Sequence, residues 1–171
     1  PAGRLFFAVD GRDDVRGLQA ESWDMFAWDG HLVERITNDR VEFGEAHWIF
    51  GQQRYAVLNE DKIIAIRTND GRDQLVEIVV STSIINSLDK EPSTSLAQLS
   101  RAGNDSVIYT ASSFNRAASV HGYSSDRSKV TQWLSAEPLL EDQDISIPEH
   151  LVYTTRDGES ARAWYYPPQN H

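Results

Sequence analysis

The chain is a succession of short apolar, β-prone runs, each stopped by turn residues, with no helical period between them. Residues 4–9 form an apolar run ended by Asp10-Gly11. Residues 23–28 form a second, and Asp29-Gly30 after it is a strong hairpin signal. Residues 31–37 alternate apolar and polar, as a strand wet on one face does. Residues 55–58 and 63–68 flank a turn at 59–62, and Asp70-Gly71 leads into the run 74–80. A fainter group follows: 95–99, a turn at Gly103-Asn104-Asp105, then 107–111, 118–123 and 129–134. Many short strands at this spacing specify a β-propeller, a sandwich or a barrel.

A repeat favours the propeller. Asp10-Gly11-Arg12-Asp13 and Asp70-Gly71-Arg72-Asp73 lie 60 residues apart, and each follows one strand and precedes another. Blades recur every 40–50 residues or so, and an insertion at 43–54 accounts for the excess. On this reading the chain is all-β: about three four-stranded blades, the first lacking its innermost strand, which would lie upstream of Gly3-Arg4. The fuller blades span about 46–88 and 94–134. The partial propeller is 1–136, an acidic, proline-bounded linker is 137–150, and 151–171 begins another domain.

Composition narrows the function classes. Net charge is -10 and Lys and Arg are scattered singly, so no cluster for a phosphate backbone is present and nucleic acid is not an expected partner. The apolar run 63–66 is far short of the roughly 20 residues that cross a bilayer, so no membrane partner is expected. The absence of cysteine removes disulfides, thiolate nucleophiles and thiolate metal ligands, and fits a reducing compartment.

Candidate chemistry is sparse. Gly122-Tyr123-Ser124-Ser125-Asp126 and Gly158-Glu159-Ser160-Ala161-Arg162 approach a nucleophile elbow, G-x-S-x-G. The first has Asp where the last Gly belongs and no helix after it. The second sits in a hairpin turn. Both read as turn serines. His31, His47, His121, His150 and His171 form no short-spaced ligand pair, and His47 near Glu45 reads as a strand-end histidine. The acidic clusters Asp13-Asp14 and Glu141-Asp142-Asp144 lack an EF-hand pattern. No catalytic, metal or cofactor residue is assigned, and no cofactor is expected. Trp23, Trp28, Trp48, Trp133 and Trp164, with Phe6, Phe7, Phe26 and Phe50, are expected to fill the space between sheets rather than line a ligand surface.

The C-terminal stretch is the most specific. Pro148-Glu149 precedes two apolar runs joined at Asp157-Gly158 and closed by Tyr165-Tyr166-Pro167-Pro168. This resembles the seam of the prolyl oligopeptidase superfamily of serine peptidases, in the acylaminoacyl-peptidase and dipeptidyl-aminopeptidase branch. There a propeller hands over to an α/β-hydrolase domain. Residues 42–51 resemble a family segment in which an acidic residue, Phe and Gly precede a short Trp strand ending in Phe-Gly. The likeness covers 1–82 and 145–168, and 89–136 only loosely. It implies a fragment of a cytoplasmic peptidase whose propeller admits short peptides by size and whose Ser-Asp-His triad lies beyond His171. The missing hydrolase domain would be its partner, and open sheet edges would favour self-association. A stand-alone binding or scaffold propeller, and a small β-sandwich or barrel binding a ligand through its tryptophans, are the alternatives.

Overall fold

A computed structural model describes residues 3–11, 22–89, 93–135, 137 and 140–169. Thirteen strands in these residues form four antiparallel sheets. The first sheet holds β1 (Leu5–Val9), β2 (Asp24–Trp28) and β3 (Val33–Arg35). The second holds β4 (Tyr55–Val57), β5 (Lys62–Asn69), β6 (Arg72–Val79) and β7 (Ile84–Ser87). The third holds β8 (Ser95–Arg101), β9 (Ser106–Ser113), β10 (Arg116–Ser124) and β11 (Lys129–Ser135). Each is a meander in chain order. A 3₁₀ turn, Asp142–Asp144, precedes a separate hairpin of β12 (Glu149–Thr154) and β13 (Ser160–Tyr165). The three meanders are successive blades of a partial propeller, the first with three described strands and the others with four.

The middle blade explains the run Ile63-Ile64-Ala65-Ile66. Ile63 and Ala65 face the first blade, packing with Phe6, Met25, Ala27 and Phe43. Ile64 and Ile66 face the third, packing with Leu96, Leu99, Val107 and Tyr109. A strand buried on both faces has no polar side to show, so it loses its alternation. All four residues are fully buried, and each such isoleucine contributes about 1.5–3 kcal/mol.

The third blade reads faintly because its first strand is irregular. The register of β8 against β9 slips between Ala97 and Ser100, and Gln98 has φ 55. This bulge turns both Leu96 and Leu99 into the same core despite their odd spacing.

Asp70 and Gly71 join β5 to β6 with φ 49 and 73, as a two-residue type I′ hairpin requires. Asp10-Gly11 ends β1, which stands to β2 as β5 stands to β6. The repeat therefore falls at equivalent blade positions, although Arg12 and Asp13 lie outside the described residues, as does Asp14.

Two expectations are corrected. The segment 44–50 forms no strand; it crosses from β3 to β4 as a loop, tied at Glu42 by one bridge to Thr68. The tryptophans do not fill the core. Phe6, Phe26 and Phe43 are buried, whereas Trp28, Trp48 and Trp133 are exposed, and Phe50 with them. The blade cores are built of aliphatic, phenyl and phenol side chains, while Trp23 and Trp164 are half-buried.

Candidate docking rim

Strand direction divides the loops between two rims. The turn 70–71, the turn after β9 and the β3–β4 loop share one rim; the loops 59–61, 102–105 and 125–128 lie on the other. The β12–β13 hairpin sits on the first. Arg72 lies 5.3 Å from the Trp164 ring and 5.7 Å from that of Phe114 in the β9–β10 turn. Phe114 meets Trp164 edge-on at 5.0 Å and Tyr166 at 6.3 Å. Arg162 pairs with Asp70 at 3.0 Å. Behind the hairpin, Ser146 Oγ donates to the Pro167 carbonyl at 2.6 Å. Turns of two blades and both ends of the hairpin segment thus form one seat, built from cation–π and aromatic contacts.

The rim is fixed from beneath by a buried ionic clip. Asp73, next to Arg72, accepts from Arg54 Nη2 at 3.0 Å and from the Thr68 hydroxyl. Its other oxygen accepts from the Leu96 N–H of the third blade at 2.8 Å. One carboxylate therefore binds the start of β4, the end of β5 and the start of β8. Asp24 does comparable work within the first blade, accepting from Arg35 at 2.6 Å and from Thr37 at 3.1 Å.

The β3–β4 loop reaches β4 through Arg54, whose carbonyl accepts from Ile66 N–H at 2.7 Å. Between its anchors Trp48 is 89% and Ile49 68% exposed, and Phe50 is fully exposed. The charged groups nearby are paired within the chain: Glu45 with Arg54 at 3.6 Å and Asp39 with Arg67 at 3.2 Å. On the hairpin, Leu151, Val152, Tyr153, Tyr165 and Tyr166 are also exposed. These side chains are the exposed apolar part of the rim.

The residues weighed as catalytic candidates lie apart from each other. Ser124 ends β10 and donates to Asp126 two residues on. Ser160 opens β13 opposite Thr154. His31 is in the β2–β3 turn, His47 is exposed in the β3–β4 loop, and His150 packs on Trp164 at 4.9 Å. His171 lies outside the described residues. One pair was not legible as such: His121 Nε2 lies 2.8 Å from Ser119 Oγ, and its ring stacks on Tyr109 at 5.5 Å. Their i, i+2 spacing on a strand was the available signal. Ser119 Oγ also donates to the Ala111 carbonyl at 3.3 Å, so the hydroxyl is held within the sheet. Burial lowers the His121 pKa; burial and then the Asp89 carboxylate raise that of Tyr109. The pair sits on a blade strand away from the rim and reads as sheet packing. Among the described residues no His, Asp and Glu side chains gather as a metal site, and no helix is long and apolar enough to cross a membrane.

No family model matches this sequence, and no curated protein does. Solved structures share its shape. A puromycin hydrolase mutant matches 98% of the chain with TM-score 0.82 at 20% identity, over 24% of its own length. The fold is that of a prolyl oligopeptidase propeller. A puromycin-hydrolyzing peptidase from Mycobacterium tuberculosis gives 0.74 over 85% of the chain at 21% identity. Prolyl oligopeptidase B from Galerina marginata gives 0.68 over 95% at 11% identity. The chain spans 22% of the length of each of these two. At 98% coverage the puromycin hydrolase match takes in the hairpin as well as the blades.

Proposed function

We propose that this chain is the closing part of the propeller of a serine peptidase acting on short peptides, together with the seam to its catalytic domain. The observation that carries this is the seat of the β12–β13 hairpin. A strand pair that belongs to none of the blades is clamped onto their rim by Arg72, Phe114, Trp164 and Asp70–Arg162. The likeness to puromycin hydrolase over nearly the whole chain supports reading that pair as the entry to a hydrolase domain.

The chain's contribution is steric. The middle blade is buried on both faces, and a stiff rim over an active site admits a flexible peptide and refuses a folded protein. The nucleophile, its base and the oxyanion donors belong to the domain that follows. A chain without cysteine supports a reducing, cytoplasmic setting. The test is the reading frame downstream of codon 171. It is expected to encode G-x-S-x-G, then Asp, then His, in that order. Further blade repeats with no elbow would refute the proposal in favour of a scaffold propeller.

A further inference from the structure

We infer that Trp48, Ile49 and Phe50 form an apolar tongue that docks into a recess of the catalytic domain and holds the propeller closed over it; this rests on the reading above. Soluble chains do not often show water three consecutive large apolar side chains, and a contiguous patch of this kind marks an interaction surface. Three observations choose its occupant.

The first is position. The loop is anchored at Glu42, bridged to Thr68, and at Arg54, hydrogen-bonded to Thr68 and Asp73. Thr68 and Asp73 flank the same Asp70–Gly71 turn that seats Trp164 and Arg162. The tongue and the hairpin therefore leave the blades from one rim, so a domain entered through the hairpin starts beside the tongue.

The second is chemistry. Glu45, Asp39 and Asp70 already have cationic partners within the chain. What the loop offers is apolar area, so its partner presents an apolar recess and the contact is insensitive to salt.

The third is pre-organisation. The Gln52 side-chain carbonyl accepts from Ile49 N–H at 3.4 Å, Ala46 O accepts from Trp48 N–H at 3.0 Å, and Gly51 turns the chain back with φ 85. A loop held in shape loses little entropy on docking.

The test uses the full-length protein and the 171-residue chain. Acrylamide quenching of Trp48 is isolated by subtracting the Trp48→Phe variant. Trp48 is expected to be accessible in the 171-residue chain and shielded in the full-length protein, at low and high salt alike. Phe50→Ser in the full-length protein is expected to speed protease cleavage of the 137–150 linker about tenfold, because cleavage follows the open population and one buried phenyl shifts it by that order. Equal quenching in both proteins with unchanged cleavage overturns the inference. So does a rise in KM confined to apolar peptides, which makes the tongue a substrate contact, or a loss of dimer, which makes its occupant a second copy. A full-length protein with no hydrolase domain in its sequence sinks the functional reading instead, and that outcome is read from the gene before any variant is made.

Discussion

Gly71 and Trp164 approach so closely that a Cβ on the glycine would lie 3.1 Å from the indole Nε1. The glycine also needs φ 73 to close the β5–β6 turn. One residue thus serves a hairpin within a blade and the seat of a strand pair from outside it. Gly71→Ala is expected to lower stability by about 1–2 kcal/mol from backbone strain, with a further part from steric pressure on the indole. Denaturant unfolding of Gly71→Ala in wild-type and Trp164→Ala backgrounds separates the two. The steric part disappears in the second background and the backbone part stays.

Asp73 joins β4, β5 and β8 through one carboxylate. Asp73→Ala leaves Arg54, whose side chain is 10% exposed, without its buried carboxylate partner. Breaking such a pair costs about 3–5 kcal/mol, and replacing both partners by apolar residues of similar volume costs much less. Urea midpoints for Asp73→Ala and for Arg54→Met with Asp73→Leu are expected to fall in that order, the double variant being the more stable. Equal loss in both would show that Leu96 N–H and Thr68, rather than Arg54, depend on the carboxylate.

His121 makes stability fall on mild acidification. Burial sets its folded pKa below its ordinary value near 6.5. Above about pH 6.5 neither state holds the proton and the contribution is complete. As pH falls below that value the unfolded chain binds the proton first, so stability declines until the lowered folded pKa is reached. The ring is only partly buried, so the effect is small. His121→Gln is expected to flatten the urea midpoint between about pH 7.5 and about pH 5.5. An unchanged slope would assign the pH dependence to other groups.

The 171-residue chain is expected to associate with itself. Among the described residues β1 is an edge strand in its sheet, and the hairpin leaves Leu151, Val152 and Tyr153 in water. Light scattering after size-exclusion chromatography checks this. The expected result is a mass above one chain that rises with concentration; a compact, heat-stable monomer would contradict it.

What the sequence made legible was local. Asp70-Gly71 announced a turn because only a narrow set of residues tolerates two positive φ angles in succession. The apolar run 107–111 was marked, and β9 covers it with Val107, Tyr109 and Ala111 in the core. β7 was not, because Ile84, Asn86 and Ser87 on an outer strand are exposed and carry no period. The bulge at Gln98 hid β8 in the same way. For the rim, the Pro-Glu and Tyr-Tyr-Pro-Pro ends bracketed the hairpin segment, but did not give its seat. Arg72, Phe114 and Trp164 are far apart in sequence, and only the blade topology brings them together. The short Trp strand expected in the tongue came from the family resemblance of 42–51; between its two anchored ends the segment is a loop instead.

Covalent labelling tests directly the proposal that this chain supplies a propeller rim and that the nucleophile lies outside it. The full-length protein is treated with a fluorophosphonate and the modified serine is mapped by peptide mass. The expected result is one labelled serine beyond residue 171, within G-x-S-x-G, and no labelling of the 171-residue chain alone. Stoichiometric labelling of Ser119, Ser124 or Ser160 would contradict it.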